Sequence, residues 1–230
     1  MKTIGLIGGI TWQSTVEYYR IINNETKKLL GGSHSARILM YSFDWEEING
    51  LRSAGRFEDV GPRLAEEAKH LESIGADVIL LCANTAHKFA SLVQNEISVT
   101  LLHIADASGK EIQKLGLKKV LLLGTKYTMQ ERYIADKLEN EYQTQVVVPE
   151  ENDLLEVSRI IFEELVDERI LQPSKEYLAN LISKTPDIEG VILGCTELPL
   201  IIKPEDTPLT LIDTTYLHAK AAVEFANGIN

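Results

Sequence analysis

Cysteine is scarce in this chain: two residues in 230, Cys82 and Cys195, 113 positions apart. There is no CxxC pair and no close set of metal-ligand residues, so neither a disulfide framework nor a zinc signature is present, and two free thiols in a cytoplasmic setting are expected. Basic charge is short as well, 23 Lys and Arg against 34 Asp and Glu, a net charge of −11. That balance argues against nucleic acid and anionic membranes, both of which reward basic patches. Long apolar runs are missing, none nearing the roughly 18 residues of a membrane span. The short stretch from Ile4 to Ile10 is broken by Thr11, Gln13 and Ser14 and does not read as a signal peptide. Nucleotide-binding glycine patterns are lacking too. Gly5-Leu6-Ile7-Gly8-Gly9 is not GxGxxG, no GxxxxGK[ST] occurs, and Gly124-Thr125 has no phosphate-loop lysine in register.

What is present is an ordinary globular composition, 44% hydrophobic and 25% charged, long enough for one large or two small domains. Lys2 to Ile7 is a short apolar strand stopped by Gly8-Gly9, followed by a helix from about Ser14 to Leu30 that ends at Gly31-Gly32. Arg37 to Ser42 reads as a strand, Gly61 to Ile74 as a helix, and Asp77 to Leu81 as a buried strand. The pattern then restarts. Lys119 to Leu123 is a strand, Met129 to Tyr142 a helix, and Gln145 to Val148 a strand. Val157 to Val166 and Ser174 to Ser183 are helices, and Gly190 to Leu193 is a strand. A last helix, Tyr216 to Ala226, is expected to pack on the first half. Strands alternating with helices give right-handed crossovers and parallel sheets. Gly8 and Gly124 end equivalent strands 116 residues apart, close to the 113 that separate the cysteines. The two offsets imply a duplication of about 115 residues. The expected architecture is therefore two pseudo-symmetric, doubly wound α/β domains. The first covers 1–100 and 208–230, the second 101–207.

Ligands of open parallel sheets bind beyond the carboxyl ends of the strands. Four turns fall there: Gly8 to Thr11, Cys82 to Thr85, Gly124 to Thr128 and Gly194 to Glu197. They are rich in glycine, hydroxyls and short amides, and most open a helix, whose free N–H groups suit a carboxylate or phosphate. Glycine and threonine are equally ordinary turn and cap residues; four such turns in a duplicated frame weigh towards a site. Cys195 is the sharpest residue. At a strand end with backbone N–H groups nearby, its thiol can be activated; as a small hydrophobe it can also be buried and inert.

The stretch Gly5 to Asn23 (GLIGGITWQSTVEYYRIIN) resembles the N-terminal signature of the aspartate/glutamate racemase family. Asn84-Thr85-Ala86-His87, Leu123 to Met129, Gly194-Cys195-Thr196-Glu197, and Asp213-Thr214 with His218 resemble the same family in the same order. The resemblance implies two similar α/β domains with the active site in the cleft between them. It also implies racemisation without metal or pyridoxal phosphate: one thiolate removes the α-proton, and a thiol from the other half returns one to the opposite face. Two small acid/base groups flanking one carbon, with fixed dipoles to stabilise the carbanion, are what such chemistry needs. On this reading Cys195 and Cys82 are the catalytic candidates. Gly9, Thr11, Arg52, Ala83, Asn84, Thr85, Thr125, Thr128 and Thr196 are the candidate substrate contacts. Arg52, in the loop after Asp44-Trp45, would take a distal carboxylate or lie solvated at the surface.

The chain departs from the family at one place. The usual cysteine directly precedes Asn-Thr, where this sequence has Ala83, with Cys82 one residue earlier. Neighbouring side chains on a strand face opposite ways, so Cys82 is expected in the core if Ala83 faces the substrate. A bulge that aligns Cys82 with Cys195 is the competing register. His87 and His218 have helix-packing or loop-orienting roles in view, His218 opposite Asp213, and Glu197 orients a neighbour or repels a second carboxylate. Trp12, Tyr18 and Tyr19 are core or interface aromatics, and a homodimer is expected. The function expected is racemisation of aspartate or glutamate. A one-thiol decarboxylase of a substituted malonate and a non-catalytic binder of acidic metabolites are the alternatives.

Overall fold

The structure, a computed structural model, describes residues 1–229. It divides into unit 1, Met1–His103 with the C-terminal residues from His218, and unit 2, Ile104–Leu217. Unit 1 holds strands β1 (Ile4–Gly8), β2 (Ile38–Ser42), β3 (Val78–Leu81) and β4 (Thr100–Leu101). All are parallel, in the order β2-β1-β3-β4. Unit 2 holds β5 (Lys119–Gly124), β6 (Gln145–Val147), β7 (Gly190–Gly194) and β8 (Thr210–Asp213), parallel in the order β6-β5-β7-β8. Each unit thus repeats one winding, in which the first and third strands lie at the centre. This is the doubly wound α/β architecture expected from the strand and helix spacing.

The central strands are apolar on both faces because helices cover both. In unit 2, Leu121, Leu123, Val191 and Leu193 pack on Val157, Ile160, Ile161, Leu178 and Ile182. Their alternates Val120, Leu122 and Ile192 pack on Ile104, Ile112, Ile134 and Leu138. In unit 1, Ile7, Ile79, Leu81 and Ala83 pack on Leu64, Ala68 and Leu71 of the Val60–Ser73 helix. Each fully buried aliphatic side chain contributes about 1.5–3 kcal/mol. In unit 2 both faces of the sheet are therefore filled up to the strand ends.

Several boundaries differ from expectation, each for a physical reason. The helix expected from Met129 is two, Lys126–Gln130 and Tyr133–Tyr142, because Arg132 between them is left-handed at φ 55°. The helix expected over 157–166 is Glu151–Glu163, starting earlier because its first turn is acidic and polar rather than apolar. The Ile104–Leu115 helix and the short strand β4 carry weaker patterns. The chain returns to unit 1 after Leu217 rather than at 208, because Thr210–Asp213 pairs with β7 as the edge of the second sheet. Among the described residues, no helix is long and apolar enough to cross a membrane.

Candidate active site

In unit 2 the ends of β5 and β7 meet at Gly124 and Gly194, which face each other in the parallel register. A Cβ on Gly194 would lie 2.8 Å from the Leu123 carbonyl oxygen. Glycine at this position therefore brings the two central strands close and leaves their ends as bare backbone. Thr125 caps the Lys126–Gln130 helix, its hydroxyl accepting the Thr128 N–H at 3.4 Å. The Thr125 and Thr128 hydroxyls are 3.2 Å apart, and the Tyr133 hydroxyl donates to Thr128 at 3.2 Å. Thr128 is fully buried. It orders this turn from beneath, a supporting place rather than the substrate contact expected of it.

Cys195 follows β7 directly and is partly exposed. Its Sγ–H donates to Oε2 of Glu197 at 2.8 Å, and the Thr196 hydroxyl donates to the same oxygen at 2.7 Å. Glu197 is itself buried. The Leu198 N–H to Cys195 carbonyl and Leu200 N–H to Glu197 carbonyl bonds, 3.2 and 2.9 Å, pin the turn. Burial is the largest influence on the Cys195 thiol and pushes its pKa well above the ordinary value; the Glu197 carboxylate pushes the same way. Backbone N–H groups of Glu197 and Thr196 act in the opposite sense. The activated thiolate that the turn's position foreshadows is thus reversed at rest: the sulfur is held as a thiol. The hydroxyl proton of Thr196 is directed to Glu197.

In unit 1 the turn after β1 is built by Gly9 at φ 81°, where a Cβ would collide with the Phe43 backbone. The Gly9 N–H is taken by the Thr15 hydroxyl at 2.8 Å, which in turn donates to the Thr11 carbonyl at 3.2 Å. Thr11 precedes the Trp12–Leu30 helix, and its own hydroxyl lies 3.5 Å from that of Ser14. After β3 the chain stays extended. Cys82 N–H continues the ladder to the Ile7 carbonyl at 2.9 Å, and Ala83 has φ −152° and ψ 136°. Ala83 joins the cluster of Leu81 and Ile79, so Cys82 points to the opposite face. Its sulfur is buried, and burial drives its pKa far up. Asn84 is buried and Thr85 half-buried at the start of the short 3-10 helix Asn84–Phe89.

His87 places Nδ1 3.0 Å from the Ala83 carbonyl. A carbonyl only accepts, so Nδ1 carries the proton and fixes the turn at position 83. His218 does not pair with Asp213, whose carboxylate instead caps Tyr216 N–H at 3.0 Å. It bonds the Leu102 carbonyl through Nε2 and the Tyr18 hydroxyl through Nδ1, at 2.9 and 2.8 Å. Arg52 is in the Trp45–Ser53 helix rather than a loop. It donates to Asn49 at 2.6 Å and stacks 5.5 Å from the Trp45 ring centre. Of the aromatics, Tyr18 is core, while Trp12 and Tyr19 are exposed. Thr15, Tyr133 and the His87–His103 ring contact at 4.9 Å were not singled out by sequence. The hydroxyl-capped turn is the only advance sign of the first two.

Comparison with known proteins covers nearly the whole chain. A family model described as Asp/Glu/hydantoin racemase matches residues 7–222. The broad specificity amino-acid racemase RacX of Bacillus subtilis is 26% identical over 96% of each chain. The crystal structure of a Yersinia pestis protein classed with the Asp/Glu racemases matches with TM-score 0.93 and 40% identity, covering 99% of this chain and 100% of that one. An aspartate racemase homologue from Pyrococcus horikoshii matches with TM-score 0.86 and 39% identity, over 99% and 100%.

Proposed function

Because the chain belongs to the Asp/Glu/hydantoin racemase family, we propose that it racemises an acidic amino acid, aspartate or glutamate, with Cys195 as the acid/base group. The observation that carries this reading is Cys195, a partly exposed residue at the end of a central strand, with a proton held on its sulfur by Glu197. Protonation from this sulfur breaks the S–H bond, forms the Cα–H bond and leaves a thiolate; the reverse direction removes the α-proton. In this reading Thr11, Asn84, Thr85 and Thr125 supply polar contacts for the substrate carboxylates, in turns that Gly9, Ala83 and Thr128 shape, and Arg52 supplies a guanidinium. Supporting this, Thr85 is half-buried at the head of its turn, and Thr125 is buried in a turn braced by the Thr128 hydroxyl.

The proton for the other face comes, in this reading, from a hydroxyl or water beside Ala83, since the Cys82 sulfur is buried on the far side of its strand. Deuterium exchange tests the whole proposal. In deuterated water, the protein is expected to exchange the α-proton of aspartate or glutamate, followed by NMR. Absence of exchange from either acid, or equal exchange by Cys195→Ala, overturns it.

The alanine at 83 favours one second reading, decarboxylation of a substituted malonate with protonation on one face only. Carbon dioxide release from such an acid, without α-proton exchange of amino acids, would select it. We also propose a cytoplasmic homodimer. Trp12, Val16 and Tyr19 recur along one face of the first helix with more than half of each side chain exposed, and a second copy is the occupant this reading assigns to them. Sedimentation at micromolar concentration checks it, with Tyr19→Lys expected to give monomers.

A further inference from the structure

We infer that Glu197 is the positioning residue of the acid/base thiol: its carboxylate receives the Cys195 S–H, keeps the sulfur loaded with a proton between turnovers, and makes the thiolate formed in turnover a stronger base. The inference rests on the racemase reading for its chemistry and on unit 2 alone for its geometry. Three features of that geometry are specific. Two donors, the Cys195 thiol at 2.8 Å and the Thr196 hydroxyl at 2.7 Å, converge on one oxygen, Oε2. The carboxylate is buried, so water does not screen it from the sulfur. The turn that joins the two residues is pinned by the Leu198 and Leu200 backbone bonds.

The consequence follows from charge. With the sulfur neutral, the pair carries one negative charge and one good hydrogen bond. Once the S–H proton has gone to the substrate carbon, the sulfur keeps the bonding electrons as a thiolate and two negative charges face each other. Like charges in a poorly hydrated site raise the proton affinity of the sulfur. That thiolate is a better match for a very weakly acidic α-proton than a relaxed surface thiolate would be. It regains a proton from the next α-carbon or from solvent, so no proton is consumed over the cycle. The backbone N–H groups of Thr196 and Glu197, which favour the thiolate, limit the effect without reversing it. Thr196 is drawn in because its donated proton holds Oε2 against rotation away from the sulfur.

The test reads the sulfur directly. Carbamidomethylation of Cys195 by iodoacetamide is followed by mass spectrometry from pH 6 to 10.5 in the wild type, Glu197→Gln and Glu197→Asp, with Cys195→Ala as the blank for Cys82. The wild-type rate is expected to climb through and beyond pH 8.5, the midpoint of an ordinary thiol, without a plateau below it. Glu197→Gln is expected to move the midpoint down by at least one unit, which is roughly a tenfold faster reaction at pH 8. Glu197→Asp is expected to lie nearer the wild type. In turnover, Glu197→Gln should lower kcat about tenfold or more while KM stays within about threefold, with Glu197→Asp partly restoring kcat. Superimposable alkylation profiles for the wild type and Glu197→Gln overturn the inference and leave the racemase reading standing. A wild-type plateau below pH 8 overturns it as well, whether or not the variants fold. A shifted profile in a protein that exchanges no α-proton supports the pair and removes the racemase reading instead.

Discussion

The hydroxyl of Tyr18 donates to Nδ1 of His218 at 2.8 Å, joining residues two hundred positions apart in the interior of unit 1. The other ring nitrogen donates to the Leu102 carbonyl at 2.9 Å, which fixes the neutral tautomer. No solvent reaches the ring, and the groups around it are Tyr18, edge-on at 5.6 Å, and His87 at 5.2 Å between ring centres.

Acid is therefore expected to destabilise unit 1 through His218. Burial, and then the neighbouring His87, lowers its pKa from 6.5 to about 3. Below pH 6.5 the unfolded chain takes up a proton that the native ring refuses until about pH 3. The stabilisation is thus complete above 6.5 and is lost as pH falls, by about 1.4 kcal/mol per unit. Urea unfolding at pH 7.5 and pH 5 should show the wild type losing about 2 kcal/mol more than His218→Asn. Equal losses in the two proteins would mean that His218 is not the group responsible.

Removing the phenol should separate stability from chemistry. Tyr18→Phe deletes the donor to a buried nitrogen, a change that costs about 1–3 kcal/mol. Its α-proton exchange, measured well below the unfolding transition, should match the wild type. A variant as stable as the wild type would show that this bond is replaced without loss.

The parts of the molecule that were legible in the sequence are those written locally. Runs such as Val78–Leu81 and Gly190–Gly194 are continuously apolar because both faces are covered, and glycine pairs mark where strands stop. The place of Cys195 at a strand end was legible for the same reason. Strand β4, two residues long, offers no period to read, and β8 borrows its place from pairing with β7. The charge state of Cys195 was not legible either. It depends on whether Glu197, two residues on, folds back onto the sulfur, and a four-residue helix with its pinned turn decides that. Tyr18 and His218 meet only because the last helix returns to unit 1.

Two glycines that share a positive φ should behave differently on substitution. Gly9 has φ 81° and Gly31 φ 75°, both in the region that L side chains avoid. Nothing lies within 4 Å of a Cβ at Gly31, so Gly31→Ala should cost only the conformational strain, about 1–3 kcal/mol. At Gly9 the added carbon meets the backbone of Phe43, which cannot swing aside as a side chain would. Gly9→Ala is expected to carry that strain and the collision together, more than about 4 kcal/mol, and to distort the Thr11 turn. Thermal unfolding of both variants checks the contrast. Similar melting temperatures would show that the Phe43 segment yields.

The two cysteines should part company in the same manner. Cys82 continues a regular extended ladder through to Ala83, which leaves its sulfur on the face away from Leu81 and Ala83. Its sulfur is buried there, and burial drives the thiol pKa far up, so on the reading proposed above it takes no part in α-proton transfer. Cys82→Ala should therefore cost about 1 kcal/mol for the small cavity left and keep the exchange rate within about twofold. Cys195→Ala should lose exchange by about a hundredfold or more, the scale of a single acid/base group. With one thiol serving one face, wild-type exchange from the two enantiomers should also differ in rate, and NMR in deuterated water measures both. Equal rates from the enantiomers, abolished by Cys82→Ala, would place a second working thiol at position 82 and require its strand end to bend in turnover.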